Sequence, residues 1–99
     1  MSKITESSRG QECQVREPGI CNGNPETTVF AHLNGGGMGM KHSDLHGADA
    51  CSNCHHWLDV GYANLGYTKA SRDLAHYQAM VRTQKRLLKE GLITLAGEA

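Results

Sequence analysis

Four cysteines in two pairs constrain this chain more than any other feature. Seven residues separate Cys13 from Cys21, two separate Cys51 from Cys54, and 29 lie between the pairs. A C-x2-C turn brings two sulfurs to one tetrahedral ion. The wider pair contains Pro18-Gly19, a turn signal that can fold it back. Together the four thiolates predict a closed structural zinc site, with Zn–S bonds of about 2.3 Å and no open position for catalysis. A variant of this site replaces one sulfur with a nearby imidazole. One tightly held zinc per chain and unfolding on chelation are the expected behaviour.

A staple suits the composition. The chain has 99 residues, of which 38% are hydrophobic and 12 are glycine, so its core is small for a domain of this length. One domain over 1–99 is expected. The opening MSKITESSRGQE is polar and has no signal-like apolar segment. No apolar run reaches the roughly 18 residues needed to span a membrane. A cytoplasmic location with reduced thiols is therefore expected, which favours metal over two disulfides. Four buried free cysteines would be the blander reading, but their placement in two pairs around turns argues against it.

Along the chain, residues 1–11 read as a loose lead-in. Thr27–Leu33 is β-branched and aromatic at its start and predicts a short strand. Asn34–Met40 is a glycine-rich loop without the lysine and Ser/Thr of a phosphate-binding loop. Lys41–Ala50 reads as polar and irregular. A helix is expected from Cys51 to Val60, followed by a break between Gly61 and Gly66. A C-terminal helix is expected over 71–90, with Ser71 as N-cap and Gly91 as stop. Leu92–Leu95 reads as a short edge strand or docked tail. Leu74, Tyr77, Val81 and Leu88, widened by Met80 and Leu87, form an apolar stripe for the core or a dimer face. Trp57 is expected in the core. The class is small α+β.

Net charge is zero at pH 7, but all six basic groups of residues 51–99 fall between Lys69 and Lys89. Arg82, Lys85, Arg86 and Lys89 recur at helical spacing and predict a basic ridge. Such a ridge can contact nucleic-acid phosphates, although a solvated helix face explains it equally well. His55 and Asp59 stand four apart, so on a helix they share a face and could share a divalent ion. His32 ends the predicted strand, where a neutral imidazole could take a proton from water near pH 7. His42, His46 and His76 have no readable partner spacing and are expected at the surface.

The stretches CQVREPGICNGNPETTVFAHL and CSNCHHWLD resemble the HNH (ββα-metal) nucleases. More closely, the chain resembles the small prophage-encoded YbcO family, whose members are described as nucleases. The resemblance runs from about Arg9 to Asp59 and continues weakly to Gly91–Ile93. It implies a zinc-stapled ββα-metal domain carrying a C-terminal helix. It implies His32 as general base, with His55 and Asp59 holding a catalytic Mg, Mn, Ni or Zn ion. Two positions depart from the superfamily pattern. Ala31 stands where many members carry a metal-binding Asp or His. The Asn that orients the base has no clear match, with Asp44, His46 and Asn34 as candidates.

The expected function is a metal-dependent DNA endonuclease in phage or prophage DNA recombination or processing. DNA is the expected partner, with a homodimer possible and no membrane involved. The alternative is a non-catalytic zinc-containing module that binds nucleic acid or serves as a protein adaptor.

Overall fold

The first strand, β1, spans Val29–His32, inside the β-branched stretch that predicts it. In this computed structural model, which describes residues 2–33 and 43–96, it pairs antiparallel with β2, Gly47–Ala50. Across the pair Val29 meets Ala50 and His32 meets Gly47. The short α2, Ser52–His56, follows β2 at once, so the order is strand, strand, helix. Cys51 caps α2 with its own sulfur, which accepts the Cys54 N–H. The helix then widens into one π-type turn at Trp57–Gly61 and ends in α3, Tyr62–Asn64. The long α4 covers Lys69–Lys89.

The core lies where the hairpin, the first cysteine pair, α2 and α4 meet. Val15, Ala31, Ala48, Ala50, Trp57, Leu58 and Ala79 are buried there with Cys13, Cys51 and Cys54. Trp57 is in the core as expected, edge-on to Tyr67 at 5.1 Å between ring centroids. The buried strand residues are mostly alanine, so α4 approaches β2 closely.

Several expectations change. The irregular stretch ends in β2, whose Gly-Ala-Asp-Ala sequence carries no β-branched or aromatic residue to announce a strand. The lead-in contains α1, Lys3–Ser7, capped by Ser2. The C-terminal helix starts at Lys69, because the Thr68 hydroxyl caps it by accepting the Ser71 N–H. The helical path runs through Gly61, and the chain turns at Gly66, whose φ of +84° suits glycine. No strand forms over residues 92–95.

The largest correction concerns which face of α4 is inside. Leu87 is fully buried, but Leu74, Tyr77, Val81 and Leu88 are exposed, by 58%, 52%, 52% and 38%. The buried face is Arg72, His76, Ala79, Thr83 and Leu87. The reason lies in the sheet. Two strands leave both outer edges without ladder partners, and those backbone groups need hydrogen bonds. The Thr83 hydroxyl accepts the Asp49 N–H at 3.0 Å, and the Gln14 N–H donates to the Asp49 carbonyl at 2.8 Å. His76 donates from Nε2 to the Ala31 carbonyl at 2.9 Å.

Asp49 gathers the rest. It is fully buried, and its carboxylate accepts the Ser8 hydroxyl at 2.6 Å and Arg86 Nε at 2.8 Å. Arg86 also reaches Ser7, and its side chain is only 10% exposed.

Two outcomes follow from these buried groups. Asp49→Ala leaves the buried Arg86 guanidinium with only the exposed Glu90 carboxylate at 3.1 Å, and urea denaturation should show a loss of about 3 kcal/mol. Replacing the pair together, Asp49→Leu with Arg86→Met, should recover most of that loss. Burial holds His76 below the ordinary imidazole value, against the pull of the Ala31 carbonyl. The unfolded chain therefore protonates first, so stability should fall as pH drops below about 6.5. His76→Gln should flatten that part of the stability–pH curve.

Candidate functional site

The four cysteine sulfurs converge. All lie within 4.8 Å of one another, and Cys21 and Cys51 Sγ are 3.8 Å apart. Four sulfurs about 2.3 Å from a tetrahedral ion stand about 3.8 Å from each other, so the cluster has the right size. No disulfide forms among them. The Arg16 and Asn22 N–H groups point at Cys13 and Cys51 sulfur, both at 3.5 Å, and so favour thiolate. A hydrogen bond from the Cys54 thiol, with backbone N–H groups, pulls Cys13 down to about 4 against its burial. The same contact, with burial, pushes Cys54 well up. Burial raises Cys21. Several thiolates cannot share this space unless a cation balances them, and the donor set fits a metal ion.

His32 sits at the end of β1, and its ring is held from two sides. Nε2 is 2.8 Å from Asp44 Oδ1. The Phe30 ring meets it edge-on, with centroids 5.1 Å apart. Phe30 packs against Gly47, where a Cβ would collide with Phe30 Cε2 and Cζ; Gly47 is therefore required for this support. The Asp44 carboxyl is held below the usual range by the His32 hydrogen bond, then by one to Ser2. A carboxylate can only accept, so His32 donates from Nε2, and a neutral ring keeps its lone pair on Nδ1. Both side chains are about two-fifths exposed, at 40% and 38%. A cleft of about 490 Å³ is lined by Thr5, Glu6, Arg9, Thr28, Val29 and Phe30.

His55 follows Cys54 on α2, and Asp59 lies on the π-type turn. His55 Nε2 is 3.4 Å from Asp59 Oδ2, close to the roughly 3 Å between neighbouring ligands of an octahedral ion. Both are about half exposed. Among the described residues, only the cysteines form a group of three or more such donors. His32 thus pairs with Asp44, and His55 pairs separately with Asp59.

Other expectations resolve as follows. The Ala31 side chain is buried, and its carbonyl binds His76. The position before His32 therefore faces the core and offers no metal ligand. Of the three candidates to orient the base, Asp44 makes the contact, and Asn34 lies outside the described residues, as does His42. His76 is buried, not superficial. Arg82 and Arg86 leave the expected basic ridge. Arg82 Nε donates to the Gln14 carbonyl at 3.0 Å, and Arg86 pairs with Asp49. Lys85 and Lys89 remain exposed. Among the described residues, no helix is long and apolar enough to cross a membrane.

The family model described as "Putative nuclease YbcO" matches residues 2–92. A relative from Escherichia coli (strain K12), named "Putative nuclease YbcO", is 44% identical over 98 residues, covering 94% of this chain and 98% of its own. A relative from Enterobacteria phage 82, named "Putative nuclease ybcO", matches with the same identity and coverage. Among solved structures, a bacteriophage protein from Escherichia coli K-12 superposes with a TM-score of 0.73 at 42% identity. That match covers 88% of this chain and 98% of the other.

Metal analysis of the purified protein should find one ion held by the sulfurs. Cys51→Ser should lose that ion and the cooperative unfolding transition with it, and strong chelators should do the same to the parent protein.

Proposed function

Because this chain belongs to the YbcO family, we propose that it is a metal-dependent DNA endonuclease that hydrolyses phosphodiester bonds in phage or prophage DNA. The observation that carries this reading is the His32–Asp44 pair at 2.8 Å. Asp44 fixes the imidazole with Nε2 as donor, which directs the basic Nδ1 away from the pair. His32 takes the proton of a water attacking the phosphorus. Asp44 then stabilises the imidazolium that forms, as an aspartate does behind a catalytic histidine. In this reading Asp44 fills the role of the missing superfamily Asn.

His55 and Asp59 are the residues that would hold the catalytic metal, Mg, Mn, Ni or Zn. When bound, the ion supplies charge stabilisation at the leaving oxygen. The four-cysteine site takes zinc, which suits four sulfur donors, and has a structural role. It anchors the turn that ends in β2 and starts α2, and so sets His55 relative to the hairpin. The order β1, β2, α2 supports an HNH-like core. Lys85 and Lys89 are the exposed candidates for DNA phosphates, and Arg82 and Arg86 hold the fold. The protein works in the host cytoplasm on this reading.

The second reading, a non-catalytic zinc-containing adaptor or nucleic-acid-binding module, draws on one observation. Ala31, which stands where many members of the HNH superfamily carry a metal-binding Asp or His, is buried and offers no ligand.

Plasmid nicking with Mg²⁺, Mn²⁺ or Ni²⁺ separates the two. His32→Ala should lower the rate at least about 100-fold, within the usual range for a general base. Asp44→Asn should lower it less, and His55→Ala should abolish metal-dependent cleavage. Activity that survives both histidine substitutions would sink the assignment. DNA binding without cleavage under any metal would favour the adaptor.

A further inference from the structure

The exposed stripe on α4 is an apolar surface that neither the core nor the candidate site uses. Leu74, Tyr77, Val81 and Leu88 lie 38–58% exposed along it. They share one face of the helix, unlike the single exposed apolar residues common on any surface. With Gln84 they follow one another at steps of three, four, three and four. That is the heptad seam a second helix of the same pitch fills with its own side chains. Leu45, 42% exposed, lies beside the seam, where Gln84 Nε2 holds its carbonyl at 2.7 Å.

We propose that this seam pairs with its own copy, α4 against α4 in antiparallel orientation about a two-fold axis near Val81. Three observations select a second copy and this direction. First, leucines stand seven residues to either side of Val81, at 74 and 88, so the stripe complements itself when reversed. Second, the exposed charge along the seam favours this direction. Lys85 and Lys89 flank the C-terminal half and would lie opposite the N-terminal half, where Arg72 is buried and Asp73, its partner at 2.7 Å, is 44% exposed. Exposed Lys69 lies beyond Leu74, and Glu90 is held by Arg86 at 3.1 Å. A parallel pair would set each lysine beside its own copy, and an antiparallel pair separates them and opposes the helix dipoles. Third, the size suffices. Leu74 to Leu88 spans about 21 Å of helix. Four half-exposed large side chains per copy, with their flanking stems, bring the buried surface to about 1,000 Å² in total, the lower bound for a specific interface. The dimer is therefore in exchange with monomer. This pairing does not depend on the nuclease reading, because neither histidine pair lies on the seam.

Sedimentation equilibrium of the metal-loaded full chain tests it. The parent protein should show a concentration-dependent mass rising to twice 10.7 kDa. Val81→Glu should raise the dissociation constant at least about 100-fold, because the axis sets two new carboxylates side by side, with helical content and bound metal unchanged. Leu74→Gln provides a milder disruption if that protein folds poorly. Orientation is read by mixing Leu74→Cys and Leu88→Cys proteins under mild oxidation. The mixed 74–88 disulfide should dominate over either homodisulfide. A parent protein that stays monomeric across the concentration range overturns the proposal. So does a dimer indifferent to Val81→Glu and Leu74→Gln, or a dominant Leu74–Leu74 crosslink. DNA affinity that falls with these substitutions in a monomeric protein would assign the stripe to nucleic acid and equally overturn it.

Discussion

Four sulfurs packed within 4.8 Å of each other set the terms for the rest of this fold. As thiolates they repel, and as thiols they satisfy one another poorly in a buried site. A cation turns the same arrangement into an attraction that ties the N-terminal loop to the β2–α2 junction. The two cysteine pairs stand 29 residues apart in the chain, so closing that loop costs chain entropy. A core made largely of alanine offers little apolar area to offset it. The tie also fixes where α2 begins, since Cys51 is both a member of the cluster and the N-cap of that helix.

Beyond the sulfurs, order is carried by polar groups in unusual places. The buried face of α4 holds an arginine, a histidine and a threonine. Each of these serves a backbone or carboxylate group of the chain it covers. His76 and Thr83 treat the hairpin as a row of hydrogen-bonding groups. Arg72 bonds the Leu58 carbonyl and stacks over Tyr62 at 4.4 Å, linking the start of α4 to the π-type turn. Such contacts are directional, so they specify one position of the helix on a surface that apolar packing alone would leave loosely defined.

This exchange of roles explains which parts of the molecule were legible in the sequence. The sulfur cluster and the His55–Asp59 pairing follow from spacing, β1 follows from its β-branched and aromatic residues, and the helix after Cys51 was legible as well. β2 was hidden because Gly47, Ala48 and Ala50 are small for close packing under α4, and propensity reads small residues as irregular. The face of α4 was misjudged because periodicity assigns apolar residues to the interior. Here the interior needed hydrogen-bonding side chains, an acceptor in Thr83 and a donor in His76, for a two-stranded sheet. Asp44 could be named as a candidate beside His46 and Asn34, but not chosen. Its contact with His32 depends on how the chain returns from β1 to β2, and no local pattern encodes that return.

Asp49 also bears on how the chain folds in time. Its amide, carbonyl and carboxylate find partners at residues 8, 14, 83 and 86. During synthesis the hairpin is made before Thr83 and Arg86 are added. Until α4 emerges, a carboxylate at the centre of the hairpin has no cation to bury it against. The cysteine pairs can meet without α4, but consolidation of the strands around Asp49 waits for Thr83 and Arg86. Such long-range contacts slow folding, and they make the docking of α4 the step that commits the hairpin to its native pairing.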